Sequence, residues 1–324
     1  KVMRMKTWGL LALKIAFSGA LIWYFVGKSD LGVAMENLRR VDTATVSLTI
    51  ALFLAQMVFV AWRWSVLMRL VGIGDGFSFP QIVQTMWTAT FLNTTLVSSV
   101  GGDAFRLWTV MRRGDPMGKS INSIFLDRLA ALMSLMFLIA ISLPYVMELL
   151  PDQATFWSYA MLIVASLAGF AALFHANRLP RRIQHWRLVR GLASLAADTR
   201  KLSMHMNNLL PVAGLALFIH LLTICVIYVL AAGLEIEISF LDCFFLVPPV
   251  ILAMTLPISI AGWGVREGAM IVALGLIGVS QESALVLSVL FGLGITLAAL
   301  PGGVIWLFSR NRTVPAMPDG EAES

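Results

Sequence analysis

Long apolar runs constrain this chain more than any other feature of its sequence. Six such runs, each of roughly 20 residues or more, lie at about 8–26, 45–71, 119–148, 153–176, 209–234 and 282–308. A helix of that length crosses the ~30 Å hydrocarbon core of a bilayer. Only 13% of the residues are charged, about half the share of a soluble domain. We therefore predict an all-α polytopic membrane protein with six full spans.

Two further apolar stretches, 81–113 and 239–276, are interrupted near the middle by small residues, at 98–102 and 258–262. A backbone broken at membrane depth persists only where protein or a water-filled cavity satisfies its polar groups. Such interruptions often mark the substrate site of a transporter. We predict that each stretch is a re-entrant hairpin, with backbone hinges at Gly101, Gly102, Gly262 and Gly264.

The basic residues indicate how these segments are oriented. The connection 177–208 holds seven Arg and Lys residues against one acid, Asp198, and such connections remain cytoplasmic. If each broken stretch returns to the side it entered, this connection, the basic residues of 112–119 and both termini share the cytoplasmic side. If the first stretch crossed once, 177–208 would lie outside. We therefore expect a multi-pass protein of the cytoplasmic (inner) membrane with cytoplasmic N- and C-termini.

The two halves of the chain repeat the same order of segments. Each reads span, span, broken stretch, span, and 96–106 aligns with 256–266 at four identical positions of eleven. Three crossings per half place the second half upside down relative to the first, as in the inverted repeats of secondary transporters. We predict inverted repeats at 1–150 and 151–310, followed by a cytoplasmic tail without ordered structure at 311–324.

Charged residues follow each interruption. A helix N-terminus carries unpaired N–H groups and a partial positive charge, and the planar fork of arginine suits phosphate. We expect Asp103 to cap the helix after the first break and both hairpins to hold an anionic headgroup. The alternative is that Arg106 and Arg266 only pair with Asp103 and Glu267 and lock the hairpins. The predicted substrate-binding residues of the hairpins are Ser99, Asp103, Arg106, Ser259, Arg266 and Glu267.

Arg63, Asp127 and Arg128 complete the predicted substrate-binding set from within the spans. A charge at the centre of a membrane helix costs about 2.5–3.5 kcal/mol, so each needs a partner. We expect Asp127 to pair with Arg63, Arg106 or an arginine of the second hairpin, and Arg128 to take a different partner. Snorkelling of Arg63 to the interface is an alternative. Three arginines against Asp103 and Asp127 leave one positive charge, for which a phosphate is the natural counter-ion.

Other classes of function lack their signatures. The sequence contains no G-x-S-x-G elbow, Walker loop, H-E-x-x-H motif or paired histidines at metal spacing. We therefore expect no catalytic residue, cofactor or metal. The net charge of +6 comes from the connections between spans, where membrane orientation and anionic lipids explain it, so no nucleic-acid partner is expected.

Three motifs carry a family resemblance: G-G-D-x-x-R at 101–106, the pair Asp127 and Arg128, and G-x-G-x-R-E at 262–267. With their surroundings they resemble the lysylphosphatidylglycerol synthase transmembrane family, which includes the N-terminal flippase domain of the bacterial multiple peptide resistance factor. The resemblance covers nearly the whole chain and implies an inner-membrane protein that moves a lipid between leaflets. The domain that charges lipid with lysine is not recognisable in these 324 residues, so the substrate need not be a lysyl-lipid.

The leading hypothesis is a lipid translocase for a phosphate-bearing, isoprenoid-linked or hopanoid-type lipid. Alternatives are a membrane-embedded transferase subunit acting on a lipid headgroup and a scaffold of a cell-envelope enzyme. The expected partners are anionic phospholipids or polyprenyl and hopanoid lipids, with a second copy or an envelope enzyme as possible protein partners. A polar path open to both faces in turn would favour transport, whereas a one-sided pocket would favour the transferase.

Overall fold

The computed structural model describes residues 41–95, 101–149, 153–175, 187–255 and 262–309, with single positions between 19 and 36. This part of the chain is helical and contains no strand. Ser99, Ser259, most of the predicted span 8–26 and the predicted tail 311–324 lie outside the described residues. The helices are α1 Thr43–Leu70, α2 Phe79–Thr95, α3 Gly101–Met111, α4 Met117–Leu149, α5 Gln153–His175, α6 Arg187–Met204, α7 Met206–Gly233, α8 Phe240–Thr255, α9 Val265–Gly275 and α10 Gln281–Ser309.

Four helices of the described part are long and apolar enough to cross a membrane: α1, α4, α7 and α10. Their ends lie within three residues of the predicted spans 45–71, 119–148, 209–234 and 282–308. The prediction of apolar membrane-spanning helices is confirmed for these four segments. α5 occupies the fourth predicted span, 153–176.

Over the described residues each interrupted stretch contains two short helices, α2 with α3 and α8 with α9. They contain 17, 11, 16 and 11 residues. At a rise of 1.5 Å per residue each is about 16–26 Å long, which is shorter than the ~30 Å hydrocarbon core. Within each pair the two helices pack against each other.

Contacts between loops and helix ends show which termini lie together. Arg113, just after α3, donates to the carbonyl oxygen of Gly76, just before α2. Lys201 of α6 donates to the carbonyl oxygen of Leu70 at 2.7 Å, at the end of α1. The end of α1, the outer ends of the α2–α3 pair and the end of α6 therefore occupy one end of the bundle.

The opposite end of the bundle collects the other termini. A Cβ at Gly233, the last residue of α7, would overlap the side chain of Thr45 near the start of α1. Phe53 and Phe291, each ten residues into its helix, have ring centroids 5.6 Å apart, so α1 and α10 start at the same end. Tyr228 of α7 contacts Phe240 at the start of α8. The chain therefore enters α8 and leaves α9 at the same end of the bundle, the end where α1 starts.

The helix packing has the same pattern in both parts of the chain. α1 packs along α7, α2 packs on α10, and α8 packs on α4. The helices correspond as α1 to α7, α2 to α8, α3 to α9 and α4 to α10. Under this correspondence the contacts α1–α2, α3–α4, α1–α4 and α1–α10 are matched by the contacts α7–α8, α9–α10, α7–α10 and α7–α4. One apolar core lies among α7, α8, α9 and α10, and a second lies among α1, α2, α4 and α6.

The helix α6 lies in the connection 177–208, for which the sequence predicts a cytoplasmic location and no particular secondary structure. Its buried residues Leu195, Thr199 and Leu202 recur at helical spacing, and Asn122 of α4 donates to Asp198 at 2.6 Å. The same helix holds basic residues, of which Lys201 reaches the end of α1 and Arg200 packs on Phe174 of α5. α6 is thus an amphipathic helix docked on the ends of α1 and α4.

Candidate functional site

Asp127 of α4 holds two arginines that come from two other helices. Its Oδ1 accepts a hydrogen bond from Nε of Arg63 at 2.8 Å, and its Oδ2 accepts one from Nη2 of Arg106 at 3.0 Å. The three side chains are 3–6% exposed. The expected pairing of Asp127 with Arg63 or Arg106 is confirmed, and both pairs form at once. The snorkelling alternative is wrong for Arg63, because its guanidinium is buried and turned toward Asp127.

A second carboxylate, Asp103, extends this cluster toward the surface. Its Oδ1 accepts from Nη1 of Arg106 at 3.3 Å, and its Oδ2 accepts from Nε and Nη2 of Arg128 at 3.1 and 3.0 Å. The Arg128 side chain is 56% exposed. As expected, Arg128 and its neighbour Asp127 have different partners. We call Arg63, Asp103, Arg106, Asp127 and Arg128 the first charge cluster.

The prediction that Asp103 caps α3 is wrong. Asp103 lies inside α3, in the first turn of its described part, and its carboxylate faces the arginines. The side chain of Asn93, on α2, takes a capping role instead, with Oδ1 accepting the N–H of Gly102 at 2.8 Å. A Cβ at Gly102 would overlap the carbonyl oxygen of Ala89 and lie 2.7 Å from Asn93. Gly102 thus permits the close approach of α2 and α3.

The indole of Trp64 packs against Arg106 of the first charge cluster. The sequence did not indicate this role. The guanidinium carbon of Arg106 lies 4.4 Å from the centroid of the indole ring, which is within the range of a cation–π contact. Trp64 is fully buried, and its Nε1 donates to the hydroxyl of Ser123 at 3.3 Å. Its buried indole forms one wall of the site.

The second interrupted stretch carries a separate and more closed arrangement, the second charge cluster. Arg266 and Glu267 pair with each other and are almost completely buried. Nε of Arg266 also donates to the hydroxyl of Ser288 on α10 at 3.1 Å. The guanidinium lies 4.5 Å from the ring of Trp263, and a Cβ at Gly292 would overlap it. This cluster is electrically neutral and tightly enclosed.

The backbone before α9 bends through two glycines with left-handed φ angles, Gly262 at +81° and Gly264 at +85°. Glycine adopts such angles without the steric cost of a Cβ. The carboxylate of Glu267 accepts the N–H of Gly264, which is the half of a capping box that the residue at the third helical position supplies. Part of the helix N-terminus that the sequence offered for an anion is therefore occupied by a side chain of this chain.

The two clusters are built on different helices, the first on α1, α3 and α4 and the second on α9 and α10. Over the described residues, no hydrogen bond or ion pair links them. The geometry therefore brings together Arg63, Asp103, Arg106, Asp127 and Arg128, while Arg266 and Glu267 form their own unit.

The first cluster has more positive than negative charge. Three arginines face two carboxylates, which leaves one formal positive charge. Nη1 of Arg63 and Nε of Arg106 are buried, and neither has a hydrogen-bond partner among the residues that the structure describes. A buried donor left without a partner costs roughly 1–3 kcal/mol, and more when it is charged. An oxyanion in contact with both atoms would balance the charge and satisfy the open donors.

Comparison with known proteins places this arrangement in a family. The lysylphosphatidylglycerol synthase TM region family matches residues 11–302. A similar protein is the UPF0104 membrane protein of Methanothermobacter thermautotrophicus, which is 22% identical over 310 residues that cover 86% of each chain. The family match spans all the described helices as far as α10. This chain is a membrane protein that belongs to the lysylphosphatidylglycerol synthase TM region family.

Proposed function

We propose that this protein is a lipid translocase that moves a phosphate-bearing lipid between the leaflets of the cytoplasmic membrane. The observation that carries the proposal is the first charge cluster. Its centre, Arg63, Arg106 and Asp127, is buried; the cluster has one arginine more than carboxylates, and two of its guanidinium donors have no partner among the described residues. A phosphodiester headgroup has one negative charge and acceptor oxygens. These properties complement both the charge and the open donors of the cluster.

We propose that the α2–α3 and α8–α9 pairs are two re-entrant hairpins related by an inverted repeat. Three features support this assignment: the helices of each pair are too short to cross, the pairs are entered from opposite ends of the bundle, and the packing pattern survives exchange of the halves. Inverted repeats with broken helices are the architecture of alternating access. The hairpins would open in turn, with the basic connection and the termini on the cytoplasmic side.

Within this scheme each residue has a defined task. Arg63 and Arg106 bind the phosphate, while Asp127 positions both guanidinium groups and is their counter-ion when no lipid is bound. Arg128 and Asp103 form the exposed entrance to the cluster. Arg266 and Glu267 fasten α9 to α10 and stabilise the second hairpin. Ser99 and Ser259, in the interruptions, are proposed to contribute hydroxyl groups to the headgroup site.

The translocation step needs no covalent chemistry, so we propose that the chain is a transporter rather than an enzyme. The lipid classes proposed are glycerophospholipids and phosphate-linked isoprenoid or hopanoid lipids, which share the oxyanion that the arginines complement. A transferase subunit or a scaffold that depends on a partner would be inactive when the purified chain is reconstituted alone.

The test is reconstitution into liposomes that contain a trace of fluorescently labelled phosphatidylglycerol, with dithionite added to bleach the outer leaflet. Wild-type protein should make label from the inner leaflet accessible. Arg106→Lys should slow this by about tenfold or more, because a point charge replaces the fork and loses on the order of 1.5–3 kcal/mol of charged hydrogen bonding. Arg112→Lys, at the exposed end of the same hairpin, is the matched control.

Two results would refute the proposal. If the wild-type protein moves no labelled lipid under any gradient applied, the translocase function is wrong. If Arg106→Lys translocates at the wild-type rate, the phosphate-binding role of the first cluster is wrong.

A further inference from the structure

A cavity of about 330 Å³ lies among α4, α5, α6 and α7, away from both charge clusters. This volume is at the lower end of the range of ligand pockets, roughly 300–1,000 Å³. Its walls run from Leu129 to Phe137 on α4 and from Leu209 to Leu217 on α7. Each of these segments is about 12 Å long at the helical rise. The cavity is therefore elongated along the helix axes.

The walls of the cavity are apolar. Ten of its thirteen lining residues have hydrocarbon, thioether or aromatic side chains. The hydroxyl of Ser134 donates to the carbonyl oxygen of Ala131 at 2.9 Å, and that of Thr199 donates to the carbonyl oxygen of Leu195 at 2.8 Å. Both hydroxyl groups are thus satisfied within their own helices. A hydrocarbon chain suits this space, and a polar headgroup does not.

The cavity also reaches the outside of the bundle. Phe137, which lines it, is 53% exposed. In a membrane-spanning helix a side chain exposed to this extent faces lipid. A lipid tail can therefore enter from the side without crossing the protein.

Basic residues lie where α6 closes one end of the cavity. Arg200 follows the lining residue Thr199, and its guanidinium carbon is 5.0 Å from the centroid of the Phe174 ring. Phe174 in turn stacks on Phe170, which lines the cavity. The helix α6 has four basic residues against one acid, Asp198, and Asn122 donates to that acid. Amphipathic helices of this composition attract anionic lipid headgroups.

We propose that the α4–α7 cavity holds one acyl chain of an anionic phospholipid whose phosphate is bound at Arg200. The lipid belongs to the leaflet on which α6 lies. This site is separate from the first charge cluster and does not depend on translocation, so its test measures binding alone.

Native mass spectrometry of the delipidated, detergent-solubilised protein tests the proposal, with dioleoyl phosphatidylglycerol and dioleoyl phosphatidylcholine as probes. The wild-type protein should retain at least one phosphatidylglycerol in preference to phosphatidylcholine, and Arg106→Lys, which alters the first charge cluster and not the cavity, should retain the cavity-bound lipid as well. Ala213→Phe, which fills the cavity from α7, should remove this adduct. Ala140→Phe, on the exposed face of α4 outside the cavity, is the control for bulk. Ala130→Phe fills the same cavity from α4 and should also remove the adduct. With two independent cavity-filling variants, loss of the adduct cannot be ascribed to misfolding of one of them.

The headgroup is tested separately. Arg200→Gln should abolish the preference for phosphatidylglycerol, whereas Arg112→Gln, a basic residue remote from the cavity, should leave it unchanged. Retention of the same phosphatidylglycerol adduct by both folded cavity-filling variants would overturn the acyl-chain site. Equal retention of the two lipids by the wild-type protein would overturn the role of Arg200.

Discussion

Asp127→Asn tests whether the first charge cluster is held together by its central carboxylate. The substitution keeps the shape of the side chain and removes one negative charge. The three arginines then face Asp103 alone, so the formal charge of the cluster rises from +1 to +2. The Asp127 side chain is only 4% exposed, so water does not replace the lost interaction.

The expected loss of stability is large. Removing one partner of a buried ion pair costs about 3–5 kcal/mol, because the remaining charge is buried without compensation. Here the carboxylate serves two guanidinium groups at 2.8 and 3.0 Å. We expect Asp127→Asn to lower the free energy of unfolding by about 3–5 kcal/mol. Reversible unfolding by SDS in mixed micelles, followed by circular dichroism, measures it.

A double variant separates charge from packing. Arg63→Gln combined with Asp127→Asn returns the cluster to a formal charge of +1 and should recover much of the stability lost in the single variant. Asp75→Asn, in the exposed loop between α1 and α2, controls for the loss of any carboxylate. If Asp127→Asn unfolds within about 1 kcal/mol of the wild type, well below the cost of breaking a buried pair, the cluster is not a desolvated ion-pair network.

The remaining predictions concern topology and helix packing. In a background without native cysteines, Gly118→Cys and Ser280→Cys should react with an impermeant maleimide from opposite faces of the membrane; reaction from the same face would contradict the inverted repeat. Gly102→Ala should separate α2 from α3 and lower the thermal stability of the protein, since the added methyl overlaps a backbone carbonyl. Gly292→Ala should likewise displace the guanidinium packed on it and destabilise the second cluster. Gly275→Ala, where a Cβ meets no atom within 4 Å, should be neutral in the same melting assay, and an equal effect of all three alanines would refute the packing argument.

The sequence predicted many of the residues in the site but few of the contacts between them. A carboxylate buried in a membrane span must pair, so Asp127 was expected to meet an arginine, and the available arginines were few. The sequence did not reveal that Asp127 binds Arg63 and Arg106 together. It also did not reveal the N–H of Gly102 bound to Asn93, because that contact depends on how two short helices cross.

The sequence by itself determined the class of the protein, the ends of four spans and the position of the two interrupted stretches. These properties follow from local hydropathy, helix length and small residues, which act within one segment. Only the tertiary structure decided that the first cluster has open donors while Arg266 is enclosed by Glu267, Ser288 and Trp263. It also decided that the basic connection folds into α6 beside an apolar cavity. The physical reason is that a charge in the low-dielectric interior must pair, whichever protein it is in. Which partner it takes depends on which helix faces meet.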